Sequence, residues 1–250
     1  MKIAVCVKRT PDTETRVRIA ADGTSLDETG VKFILNPYDE FAVEEALQRR
    51  DKAGAGEVVV IALGPDAAQE TIRSALAMGA DRGVALKADR VPADALAVAK
   101  ALAAELRGGG YDLILFGKMA VDDGNYAVGP MVAELLGLPC VTAISKLELE
   151  GGKGVAEREI EGGVEVVEFA LPAVLTAEKG LNVPRYPALK GIMAAKKKPI
   201  ETRPAALGAV HAQVSALALP PERKAGRIVG EGADAVPELV RLLRAEAKVL

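Results

Sequence analysis

Four short apolar runs recur along the first half of this chain, and helical patterns fill the intervals between them. Met1–Lys8, Glu57–Leu63, Gly83–Lys87 and Tyr111–Phe116 are short and bounded by turn residues, so they read as core strands. In the intervals, Ala42, Val43, Ala46 and Leu47 recur at helical spacing, as do Ile72, Ala75, Leu76 and Gly79. A third helix is predicted from about Ala93 to Leu106, and Val128, Met131, Val132, Leu135 and Leu136 mark a fourth. Asn36 followed by Pro37 supplies a cap and a first-turn proline for the first helix. Strands alternating with helices of this length imply right-handed βαβ units around a parallel sheet.

Two stretches depart from that rhythm. Arg16-Val-Arg-Ile alternates before the turn signal Ala21-Asp-Gly-Thr, which suggests a small excursion or hairpin after the first strand. After Pro139 come Val141–Leu149, Gly154–Ile160 and Val164–Leu171, short strands split by Gly-rich turns, and then the apolar run Val174–Glu178. The expected fold class is therefore α/β: an open, mostly parallel twisted sheet with helices on both faces, an antiparallel β extension and a C-terminal arm. A nucleotide-binding α/β domain is assigned to residues 1–190 and the arm to 191–250. From Asn182 onward the chain is rich in proline and has little evident core of its own before a final helix at about Asp234–Lys248.

The strand ending at Phe116 runs into Gly117-Lys-Met-Ala-Val-Asp-Asp-Gly-Asn-Tyr-Ala-Val-Gly-Pro130, after which the fourth helix begins. Such a loop aims free backbone N–H groups and the positive end of a helix at one point, which suits a phosphate. No standard fingerprint fits: Gly117-Lys118 lacks the Gly-rich lead and following Ser/Thr of a phosphate loop, and Lys8-Arg-Thr-Pro11 stands where a GxGxxG turn would be. Cys6–Lys8, Asn36–Asp39, Leu63-Gly64 and Gly117–Val128 all lie at predicted strand ends, which in an open sheet line one crevice. Taken singly, each loop is equally consistent with ordinary capping.

Composition removes several classes of function. Of the 250 residues half are apolar and only 3% aromatic, with no Trp, and the formal charge is −3. Stacking platforms and a basic field for nucleic acid are both lacking, and the one dense cationic run, Lys196–Lys198, reads equally as a solvated surface. His211 is the only histidine, so no His-based triad or multi-histidine metal site is expected. Asp122-Asp123 offers carboxylates for metal or acid chemistry, but adjacent carboxylates at a helix entry more often accept N–H bonds. Catalytic and metal residues are accordingly none. Cys6 and Cys140 have no CxxC or Cys/His context and read as buried free thiols. The apolar N-terminal run is short for a signal peptide and no segment approaches the ~20 apolar residues of a membrane span, so a cytoplasmic or matrix location is expected.

Several ordered blocks resemble the β subunit of electron-transfer flavoprotein along essentially the whole chain. They are Val7-Lys-Arg9, Asn36–Ala46, Gln69–Gly83, Glu157–Gly163, Leu171–Ala177 and Leu181–Met193. The resemblance implies a carrier that turns over no substrate of its own: the β subunit pairs with an α subunit that holds the redox FAD. The heterodimer then passes electrons from flavin dehydrogenases, such as those of acyl-CoA oxidation, to a membrane quinone oxidoreductase. Carried over by position, the nucleotide site falls on Cys6, Asn36, Pro37, Tyr38, Asp39, Leu63, Gly117, Lys118, Met119, Ala120, Val121, Asp122, Asp123, Gly124, Asn125, Tyr126, Ala127 and Val128. The nucleotide is AMP in ordinary members and a second FAD in electron-bifurcating ones. Tyr126-Ala-Val-Gly129 replaces the Asn-Gln-Thr-Gly of the AMP pattern, and Ala127 replaces the Gln of the bifurcating pattern, whose Val-Gly-Pro is kept. That leaves backbone amides and Lys118 as expected phosphate ligands.

The resemblance also implies a partner-recognition loop at Pro184–Met193, with Leu189 as its apolar anchor and Tyr186, Ile192 and Met193 beside it. The arm would pack on the flavin domain of the α subunit. Two alternatives stay open at this stage. One is an adenylating ligase or hydrolase on a related sheet, although its pyrophosphate loop after the first strand is missing; the other is a nucleotide-sensing module without redox work.

Overall fold

The computed structural model describes residues 1–222 and 225–250, which divide into two compact units, Met1–Ala216 and Leu217–Leu250. In the first unit, β1 (Lys2–Val7), β4 (Glu57–Gly64), β5 (Arg82–Lys87) and β6 (Leu113–Gly117) form the predicted parallel core. Ile3, Ala4 and Val5 of β1 have no exposure, because helices cover both faces of the sheet; this is why the run is apolar throughout and does not alternate. A small antiparallel pair, β2 (Arg9–Pro11) and β3 (Phe33–Leu35), closes the excursion after β1, with a single bridge between Ile19 and Leu26 inside it.

Helices α1 (Pro37–Ala53) and α2 (Ala68–Met78) pack on one face, where Val43, Leu47, Ile72 and Leu76 meet Ile3 and Val5. The opposite face takes α3 (Ala95–Leu106) and α4 (Val128–Leu136), where Leu102, Leu106 and Val132 meet Ala4, Cys6 and Ile61. Each fully buried aliphatic side chain of this kind contributes about 1.5–3 kcal/mol of transfer free energy. Gly83 in β5 is required by that packing, since a Cβ there would stand 2.3 Å from Ile72 Cγ2.

Among the described residues the sheet has nine strands in the order β11 (Ile200–Pro204), β5, β4, β1, β6, β10 (Ala173–Ala177), β7 (Cys140–Glu150), β8 (Lys153–Ile160) and β9 (Gly163–Ala170). The extension is antiparallel as expected, β7 pairing with β8 and β8 with β9. The last parallel core strand, β10, is inserted between β6 and β7. β9 is a free edge on which Val164 and Val166 are exposed. The other edge, β11, pairs with β5 and follows a short helix α5 (Leu189–Ala195) that packs on α2. The second unit holds a turn of 3-10 helix at Ala233–Ala235 and α6 (Val236–Leu242), continued by a π-type turn over Leu243–Ala247.

Two expectations need correction. Cys140 is exposed, not buried: it opens β7 at the point where the strand enters the sheet. Asn36 stands at the N-cap position of α1 but makes no side-chain cap bond, because its amide is engaged elsewhere.

Candidate functional site

From β1 the chain builds outward to β4 and β5 on one side, then returns through α3 to place β6 on the other side of β1. The connections leaving β1 and β6 therefore diverge, and a crevice opens at their carboxyl ends, the usual ligand position in an open α/β sheet. A cleft open to solvent lies there. Cys6 and Leu63 line it from the ends of β1 and β4, Asn36 and Asp39 from the start of α1, and Gly117 through Ala120 from the end of β6. Asp123 and Asn125 through Val128 complete the wall at the entry to α4.

Asp39 ties three of these segments together. Its carboxylate accepts from Lys8 N at 2.7 Å, Gly117 N at 3.1 Å and Asn36 Nδ2 at 2.9 Å. Burial pushes its pKa up to about 7, while the three N–H donors favour the ionised form and oppose that rise. Gly117 is dictated by this contact, because a Cβ there would lie 2.4 Å from Asp39 Oδ1. Asn36 also donates to Met119 O at 2.9 Å and accepts from Val121 N at 3.1 Å, so the amide missing from the helix cap holds the loop after β6 instead.

The same loop is fastened from the β1 side by Lys8, whose Nζ contacts Asp122 at 2.8 Å and Asp123 at 2.9 Å. Burial disfavours that ammonium, but the two carboxylates outweigh it and raise its pKa. Asp122 and Asp123 are thus matched to a cation, which gives them a structural task. Lys118 forms an ion pair with Glu178 and lies 4.9 Å from the Tyr38 ring centroid and 5.7 Å from that of Tyr126. Burial opposes its charge as well, yet Glu178 and the two tyrosines raise its pKa.

Of the remaining sequence-derived residues, Pro37, Tyr38, Val121, Asp122 and Gly124 do not line the cleft; Val121 and Asp122 are tied to residues that do, Asn36 and Lys8. Pro37 opens α1, and Gly124 turns the loop at φ 59° with its N–H on Ala120 O. Tyr126 has φ 55°, an uncommon conformation for a residue with a side chain, and sits half-exposed at the mouth. Sequence reasoning passed over the opposite wall, where Val91, Pro92, Val98 and Leu102 line the cleft between β5 and α3. The signal was present in Val91-Pro92, an apolar pair in a loop that follows a parallel strand.

The cleft thus has an apolar wall and a polar wall, and the first turn of α4 contributes to its lining. The N–H groups of Val128 and Gly129 there have no intrahelical acceptor. With both lysines already matched by carboxylates, these backbone donors are the groups best placed to receive an anion. Gly129 packs closely under the turn, since a Cβ would meet Thr176 Cγ2 at 2.7 Å.

A family model described as the electron transfer flavoprotein domain matches residues 23–207. The chain belongs to the electron transfer flavoprotein family. It is 47% identical over 226 residues to the electron transfer flavoprotein subunit beta of Syntrophomonas wolfei, covering 90% of this chain and 88% of the relative. The subunit beta of Bradyrhizobium diazoefficiens is 44% identical over the full length of both chains, and the human one 41% identical over 98% of each. These electron transfer flavoprotein β subunits align with essentially the whole chain, as the sequence blocks implied.

The segment expected to be a recognition loop is well exposed: Tyr186 at 96%, Leu189 at 77%, with Ile192 and Met193 also accessible. Leu189 does not pack on its own domain. Lys196 and Lys197 are exposed as a surface run would be, but Lys198 turns inward and donates to Leu76 O and Ala80 O at the end of α2. No helix of the described residues is long and apolar enough to cross a membrane.

Proposed function

We propose that this chain is the β subunit of a heterodimeric electron-transfer flavoprotein and holds a nucleotide, AMP, in the cleft between β1 and β6. The heterodimer passes electrons from flavin dehydrogenases, such as those acting on acyl-CoA, to a membrane quinone oxidoreductase, and this subunit turns over no substrate. The observation that carries the nucleotide reading is the convergence, at a topological switch point, of an apolar wall with unpaired N–H groups at the start of α4.

Those residues fit an adenine nucleotide. Val91, Pro92, Val98 and Leu102 offer apolar surface for a base, and the Val128 and Gly129 amides suit a phosphate without needing a free lysine. Bound AMP supplies charge and shape and no redox chemistry; the FAD that carries electrons belongs to the α subunit. The chain's own residues fix the cleft: Asp39 joins β1 to β6, and Lys8 restrains the loop.

Docking of dehydrogenases is assigned to the exposed segment Pro184–Met193, with Leu189 as the anchor and Tyr186, Ile192 and Met193 around it. A single apolar hot spot can carry much of a transient interface. The C-terminal arm is assigned to the α subunit.

The test is to co-express this chain with its α subunit, denature the purified complex and quantify released nucleotides by chromatography and mass spectrometry. One FAD and one AMP per heterodimer is the expected result. Two FAD and no AMP would replace this reading with the electron-bifurcating one, which the retained Val128-Gly-Pro130 favours, and no nucleotide beyond one FAD would remove the cleft's assigned role.

A further inference from the structure

The segment that carries Tyr186 and Leu189 is exposed, yet it is fastened at both ends. Before it, Asn182 Nδ2 donates to Phe41 O and to Glu45 Oε2, each at 3.0 Å. Arg185 then grips Glu44 three times, through its backbone N at 3.1 Å, Nε at 2.8 Å and Nη2 at 3.1 Å, and reaches Asp51 at 3.2 Å with Nη1. Beyond it, Gly191 lies so close to α2 that a Cβ would stand 2.5 Å from Ala77 O. Arg73 of α2 donates to Ala195 O and Lys198 O, and Lys198 in turn caps the end of α2.

Glu44 and Glu45 sit on the buried side of α1, with side chains only 4% and 1% exposed. Two carboxylates on a core-facing helix are a costly choice that apolar residues would avoid, so a geometric purpose is the better account of them. Glu44 is matched by Gln48 of its own helix and by Arg185; Glu45 is matched by Arg49 and Asn182. Both buried acids therefore hold partners from the exposed segment. The planar guanidinium fixes direction as well as distance, which an ammonium would not.

We infer that Arg185, with Glu44, is a positioning residue that holds the Tyr186–Leu189 surface in its docking conformation before a partner arrives. Ordering a backbone segment costs conformational entropy, and a segment already ordered by the fold does not pay that cost again at the moment of binding. The clamp thus raises affinity without touching the partner. The inference rests on the docking role proposed above.

The test uses the flavin-loaded heterodimer, an acyl-CoA dehydrogenase reduced by its substrate as electron donor, and amide hydrogen exchange. The paired replacement E44Q/R185Q removes the clamp without leaving a buried unpaired charge, so the helix keeps its fold. It should speed exchange of amides 183–188 about tenfold or more and raise KM for the heterodimer about three- to tenfold, with kcat and nucleotide content unchanged. Arg185→Lys, which keeps the charge and loses the fork, should fall between. Leu189→Ala should raise KM and leave exchange at the parent level. Parent-like exchange or parent-like KM in E44Q/R185Q, with Leu189→Ala impaired, overturns the inference. Parent-like KM in Leu189→Ala instead overturns the docking reading beneath it.

Discussion

Asp39 shows how much one side chain can organise when every partner is a donor. An amide in its place would keep one acceptor oxygen but put an NH2 group, which has no lone pair to offer, where even the neutral carboxyl keeps an accepting oxygen. Asp39→Asn should therefore cost about 1–3 kcal/mol of stability. The pH dependence has a definite sign. The folded pKa, near 7, lies above the unfolded value of about 3.9, so the stability contributed by Asp39 is fully present below pH ~4 and lost as pH rises through 7. Urea titrations at pH 5 and pH 8 should show the parent's advantage over Asp39→Asn shrinking at the higher pH; an advantage that grows there would refute this account. Neither Asn36 nor Asp39 announced its task in the sequence. Asn36-Pro37 looks like a helix cap because that is the common use of the pair, and only the fold reveals that β6 ends within reach of its amide.

Among the elements, those with a complete hydrophobic period were legible: β1, β4, β5 and β6 as apolar runs, and α1 to α4 as apolar stripes. β11 was missed for a physical reason. Ile200-Glu-Thr-Arg-Pro204 lies on a sheet edge with four of its five residues exposed, so neither a run nor an alternation is needed for it to pair with β5. The Val91–Pro92 wall of the cleft was missed because a loop has no period to detect. At the same scale, α3 carries a cap with a second duty: Asp94 accepts from Leu96 N and Ala97 N, and its other oxygen accepts from His211 N at 2.7 Å. The His211 N–H first, with the Ala97 and Leu96 amides, holds this carboxyl below its ordinary pKa. Asp94→Ala should speed hydrogen exchange at the amides of Leu96, Ala97 and His211 together. Faster exchange at the first two alone would mean that Asp94 does not retain the His211 segment.

For the molecule as a whole, every strand of the large sheet and every lining residue of the cleft lies before Ala205, inside the unit that ends at Ala216. A chain ended after Ala216 should melt in one cooperative transition with the far-ultraviolet signature of the parent sheet, yet fail to retain the α subunit on co-purification. Loss of the transition would show that residues 217–250 are needed for folding; retention of the α subunit would show that they are not its attachment. The free edge at β9 bears on how such preparations behave. Its open N–H and C=O groups, with Val164 and Val166 alongside, form a template for a second copy, and Glu159, Glu161, Glu165 and Glu168 put acidic charge on that same hairpin. Repulsion between identical acidic edges reaches about 10 Å at 0.1 M salt and only about 3 Å at 1 M. A lone subunit in strong brine loses its guard against stacking into fibrous precipitate, while dilute buffer of low ionic strength preserves it.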